Sequence, residues 1–129
     1  MNKDIRDRLI NQAVNVRKNA YAPYSNFLVG AAIISDDGEI YTGANFENVS
    51  FGAVVCAERV ALGQALSCGK RKFTAICVCG ADASITPCGI CRQSLSEFGE
   101  MDVICTSHDG SEIREYKLSE LLPHAFDKI

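Results

Sequence analysis

The chain has 129 residues, 47% hydrophobic and 22% charged, with a net charge of −3. That length and balance predict a single domain over residues 1–129 and exclude an intrinsically disordered chain. No apolar run approaches the roughly 18–20 residues of a membrane span, and the acidic balance gives no electrostatic basis for holding nucleic acid. Neither a membrane nor a nucleic acid is therefore an expected partner.

Residues 4–18 place Ile5, Leu9, Ala13 and Val16 on one stripe at helical spacing. Residues 27–35 are apolar up to Ser35 and predict a buried strand. Asp36-Asp37-Gly38 is a turn, and residues 39–44 return as the second arm of a hairpin. Residues 54–67 carry Ala, Leu and Val at helical spacing and end before Gly69, which predicts a second helix. Residues 72–79 predict another strand. Pro87 is placed at the first position of a third helix that stops at Gly99. Residues 102–107 predict a strand, His108-Asp109-Gly110 a turn, and residues 112–117 a last, more exposed strand. Helices interleaved with strands predict an α/β fold, a mixed sheet covered on both faces. Strands joined through helices are expected to run parallel by right-handed crossover.

Seven cysteines are many for this length, and their odd number excludes a fully paired set of disulfides. The opening Met1-Asn2-Lys3-Asp4 lacks the apolar stretch of a signal peptide, so a reducing, cytoplasmic setting is expected. Two clusters matter. Cys56-Ala57-Glu58 lies at the start of the second helix, and Pro87-Cys88-Gly89-Ile90-Cys91 at the start of the third. Cys-x-x-Cys at a helix start turns both sulfurs to one point and makes half a zinc site, which Cys56 can complete. Three thiolates leave a fourth tetrahedral position for water, as in a catalytic zinc centre. They also leave a net charge that two helix N-termini and Arg59 can offset. Glu58, two residues from Cys56, is placed to move protons to and from such a water. Spacing alone leaves alternatives open. The Cys-x-x-Cys could be a redox pair, or the site could be structural, with Cys77, Cys79 or Cys105 as a fourth ligand. Those three fall in apolar strand stretches and read as core residues instead.

The sequence resembles the small, homotetrameric, zinc-dependent cytidine deaminases along nearly its whole length. The resemblance rests on Tyr21-Ala22-Pro23-Tyr24-Ser25-Asn26-Phe27, Asn45-Phe46-Glu47-Asn48, Cys56-Ala57-Glu58-Arg59, Pro87-Cys88-Gly89-Ile90-Cys91-Arg92-Gln93 and Leu121-Leu122-Pro123-His124-Ala125-Phe126. It implies a three-layer α/β/α sandwich around a mixed five-stranded sheet. It implies hydrolytic deamination of cytidine and deoxycytidine in pyrimidine salvage, with one zinc ion per subunit on Cys56, Cys88 and Cys91. Glu58 is then the acid/base. Asn45 and Glu47 hold the ribose, Phe27 packs on the pyrimidine, and the backbone at Ala57 and Glu58 holds the base. The Thr86 carbonyl receives the leaving amine, Phe126 reaches a neighbouring subunit's site, and Arg59 offsets thiolate charge. Phe51 stands where the family often has tyrosine, and His124 where it commonly has a small residue. Deamination of a cytosine antibiotic such as blasticidin S, or a non-catalytic zinc module, are the alternatives; Asn45-x-Glu47 argues against the first.

Overall fold

The computed structural model describes residues 1–129. Helix α1 (Lys3–Arg17) is followed by strands β1 (Gly30–Ser35) and β2 (Ile40–Ala44), a 3-10 turn at Phe51–Ala53, helix α2 (Ala57–Ser67) and strand β3 (Phe73–Cys79). Helix α3 (Gly89–Ser96), strands β4 (Asp102–Thr106) and β5 (Ile113–Lys117) and the short helix α4 (Leu118–Leu121) complete it. The five strands form one mixed sheet in the order β2-β1-β3-β4-β5. β3 and β4, joined through α3, are parallel, and every other neighbouring pair is antiparallel. The expected mixed α/β sheet with a parallel crossover is thus present.

Alternation along the central strands makes two cores. Ala31, Ile33, Ile76, Val78, Val103 and Cys105 face α2 and α3. Ala32, Ile34, Ala75, Cys77, Cys79 and Ile104 pack with Leu9, Ile10 and Ala13 of α1 on the opposite face. The layering is therefore α/β/α. α1 begins where Asn2 caps it, its Oδ1 accepting from the Asp4 and Ile5 amides at 2.8 and 3.2 Å. β5 is the more exposed last strand that the sequence predicts, and it forms one edge of the sheet.

Three boundaries differ from the sequence reading. β1 starts at Gly30 rather than at residue 27, because the Asn45 side chain, not a partner strand, takes the Val29 amide (2.8 Å) and donates to the Phe27 carbonyl (2.9 Å). α2 starts at Ala57 rather than 54, with Cys56 as its N-cap. α3 starts at Gly89 with Cys88 as N-cap, so Pro87 lies just outside the helix and is not its first residue. The shift moves each first cysteine from a helical turn to a helix cap. Gly99, at φ +93°, sits just past α3 and turns the chain away.

One close approach places α2. A Cβ at Gly43 of β2 would lie 2.7 Å from the Ala57 carbonyl oxygen and would overlap the Ala61 amide. Only glycine lets the first turn of α2, with Cys56 and Glu58, rest this closely on the sheet.

Candidate active site

Ala44 at the end of β2 and Cys79 at the end of β3 both pair with Gly30, so both strands finish at one end of the sheet. The chain goes from these ends into α2 and α3, and the starts of those helices meet there. This is where open α/β sheets place their sites.

Cys56 caps α2, Cys88 caps α3, and Cys91 stands in the first turn of α3. An N-cap and the third residue of a helix share one side, which is why the Cys88-x-x-Cys91 sulfurs converge. The three Sγ atoms lie within 4.8 Å of one another, and no other histidine, cysteine or carboxylate joins the group. Cys56 Sγ is 3.7 Å from Cys88 Sγ. Zinc–sulfur bonds of about 2.3 Å at the tetrahedral angle put neighbouring sulfurs about 3.8 Å apart, so the donors are spaced for zinc. With three protein ligands and no fourth, the arrangement fits an open centre and does not fit a closed structural one. Cys91 is buried, Cys56 half-buried and Cys88 exposed, so the centre opens on one side.

The electrostatics are those of a thiolate nest. The Cys91 thiol donates to Cys56, and Arg59 lies beside it; together they bring the Cys56 thiol down to about 5 against the cost of burial. Cys91, bound to Cys56 and desolvated, is held far up. Arg59 Nη2 is 3.9 Å from Cys56 Sγ, while its Nε is buried without an acceptor. Arg59 thus lies beside the Cys56 sulfur. Glu58 is only 4% exposed. Burial raises its carboxyl above the ordinary range, and the neighbouring Cys56 charge adds to the effect.

A cavity of about 210 Å³ opens over this centre. It brings together Phe27, Asn45, Ala57, Glu58 and Thr86 with Cys56 and Cys88. Most of the expected site residues, drawn from four separate segments, therefore line one space. Two do not line it. Glu47 lies in an adjoining hollow with Tyr24, Ser25 and Phe51. Its carboxylate accepts from the Tyr24 and Ser25 amides at 2.9 and 3.1 Å and from the Ser25 hydroxyl, which lowers its pKa. Phe126 is 69% exposed, and its carbonyl accepts from Gln93 Nε2 at 2.9 Å. Cys77, Cys79 and Cys105 are buried in the two cores, away from the sulfur cluster, as their apolar neighbours predict.

The sequence reading missed two features. Asn45 is a structural clamp as well as a cavity residue, since its amide joins the end of β2 to the entry of β1. Arg92 carries no role in the sequence beyond its motif, yet its guanidinium holds the segment that precedes Cys88. Its place next to Cys91 was the available signal.

Residues 3–107 match the model of the cytidine and deoxycytidylate deaminase zinc-binding region. The chain belongs to this family. A probable cytidine deaminase of Dictyostelium discoideum is 41% identical over 99% of this chain and 88% of its own length. A cytidine deaminase of Halalkalibacterium halodurans is 45% identical over 94% and 93%. The crystal structure of the cytidine deaminase from Burkholderia pseudomallei is 44% identical, covers 98% of this chain and all of its own, and superposes with a TM-score of 0.89. That of Mycobacterium tuberculosis is 37% identical with a TM-score of 0.83, over 95% of this chain and 98% of its own. The family's fold, a mixed sheet sandwiched by helices, is the one described above, and zinc is the metal that its three-thiolate donor set fits.

Proposed function

We propose that the protein is a zinc-dependent hydrolase that converts cytidine and deoxycytidine to uridine and deoxyuridine with release of ammonia. The observation that carries this reading is the position of Glu58. A buried carboxyl with a raised pKa stands beside three convergent thiols, in the wall of a cavity that an aromatic ring and amide groups also line.

Zinc held by Cys56, Cys88 and Cys91 supplies Lewis-acid activation of a water. Glu58 takes a proton from the water whose oxygen adds to C4 of the pyrimidine, and delivers it to N3. The carboxyl then passes the second proton to the amino group at C4. The C4–N bond breaks, ammonia leaves, and the C4–O bond remains as the uracil carbonyl. A carboxyl whose pKa burial raises above the ordinary carboxylate range suits this double role of accepting and returning protons. Phe27 packs on the ring and keeps bulk water out. The first amides of α2, at Ala57 and Glu58, lack helical acceptors and are placed to hold the base. The Thr86 carbonyl receives the leaving amine. Asn45, with one amide hydrogen still free, and Glu47, whose oxygens retain lone pairs, bond the sugar hydroxyls. Arg59 offsets thiolate charge.

On this reading residues 1–129 work as one deaminase domain in a cytoplasmic homotetramer that serves pyrimidine salvage, with Phe126 completing a neighbour's site. Exposed Val49, Phe51, Ile90 and Phe126 support burial against further copies, being 64–79% exposed in the single chain. Incubating the zinc-loaded protein with cytidine, deoxycytidine and blasticidin S, and assaying ammonia, tests the assignment. Ammonia from both nucleosides is expected. Ammonia from blasticidin S alone, or from none of the three, overturns it.

A further inference from the structure

The segment 86–88 supplies both cavity wall and sulfur, for Thr86 and Cys88 line the cavity and Cys88 belongs to the thiol cluster. It lies between strand β3 and helix α3 and belongs to neither. Its middle residue, Pro87, has no amide hydrogen with which to anchor itself. Something else must therefore hold it.

Arg92 reaches all three residues. Its amide donates to the Cys88 carbonyl at 2.9 Å, as the first-turn bond of α3. Its side chain folds back along the helix, so that Nε donates to the Pro87 carbonyl at 2.7 Å and Nη2 to the Thr86 hydroxyl at 2.9 Å. The remaining nitrogen, Nη1, donates to the Leu121 carbonyl at 2.5 Å, at the end of α4. One planar, permanently charged fork thus fixes Thr86 and Pro87, the two residues that lead into Cys88, and ties them to a distant part of the chain. Lysine cannot copy this, because its single ammonium has no fixed fork with which to meet three separated acceptors. Arg92 is not among the residues that line the cavity.

We propose that Arg92 is the positioning residue of the candidate site: it sets the Thr86 wall and the Cys88 sulfur together, and it acts through them rather than on substrate. The proposal rests on the deaminase reading for its kinetic consequences, but not for its effect on the metal. Charge-assisted hydrogen bonds to the backbone are the strong kind, and supports behind metal ligands are typically worth about 10- to 100-fold in metal affinity or activity.

The test uses Arg92→Lys and Thr86→Val, alone and combined, in the full chain. Zinc retention is read by chelator competition, and kcat and KM are read on cytidine. Arg92→Lys is expected to weaken zinc retention and to lower kcat/KM, each by about tenfold or more. Thr86→Val, which removes only the hydroxyl link, is expected to raise KM with little change in zinc retention. The double variant is expected to show the KM of Arg92→Lys alone, since the hydroxyl bond is already lost there. Millimolar guanidinium is expected to restore part of the activity of Arg92→Ala, which a general loss of stability would not allow. Wild-type zinc retention and kinetics in Arg92→Lys overturn the proposal, as does an additive KM effect in the double variant. If Arg92→Lys fails to fold, Thr86→Val still decides: an unchanged KM overturns the link. A wild-type protein inactive on cytidine defeats the deaminase reading alone, because zinc retention then still tests Arg92.

Discussion

Six of the seven cysteines form two groups of three, and the fold treats them in opposite ways. Cys56, Cys88 and Cys91 stand where two helices begin; Cys77, Cys79 and Cys105 stand inside strands. A helix start aims its first side chains past unpaired amides, so residues 32 apart in sequence, Cys56 and Cys88, come to 3.7 Å. A strand sends alternate side chains to opposite faces, so Cys77 and Cys79 join the α1 core and Cys105 joins the other. The chemistry follows the geometry. A neighbouring thiol and Arg59 pull the Cys56 pKa down to about 5. Burial pushes Cys79 up to about 11 and Cys105 up to about 12. Placement at a convergence of helix starts, rather than residue type, makes a thiol a metal ligand.

Substitutions can break this contrast, beginning with the largest effect. Cys88→Ala leaves two thiols and is expected to lose stoichiometric zinc, with turnover falling below detection; metal content and cytidine turnover measured on one preparation check it. Glu58→Gln is expected to keep full zinc while turnover falls by about 10²- to 10⁴-fold, the usual scale of a lost proton-transfer group. Zinc analysis beside the rate separates these two outcomes.

Much of this contrast is legible in the sequence. The apolar flanks of Cys77, Cys79 and Cys105 mark them as core, and two cysteine clusters at helix starts mark the other group. The sheet, its parallel crossover and the two helix layers follow from hydrophobic periodicity and from Gly69 and Gly99 as helix ends. The exact caps do not. Propensity extends α2 back to residue 54 and puts Pro87 inside α3, whereas packing of α2 on Gly43 and the Arg92 fork set where the helices begin. Asn45 reads as a loop residue because its two partners, Phe27 and Val29, are distant in sequence. Glu47 and Phe126 lie outside the cavity of the single chain, and a resemblance between sequences cannot locate them against it.

Smaller effects sharpen the contrast further. Arg59→Gln is expected to keep zinc and to lower turnover by about tenfold, because the cation beside Cys56 is lost while every ligand remains. Unchanged turnover would remove Arg59 from the mechanism. Cys77→Ser puts a hydroxyl into a fully buried apolar position. It is expected to cost about 1–3 kcal/mol of stability in a denaturant titration, with zinc content unchanged.

The most direct test reads the loss of cytidine's ultraviolet absorbance with four samples: wild type as purified, wild type after chelation, chelated wild type with zinc restored, and Cys105→Ala. Conversion is predicted in the first, third and fourth, and none in the second. A chelated protein that still converts cytidine, or a zinc-replete protein that does not, would contradict the central claim that three helix-start thiols and Glu58 make this protein a deaminase.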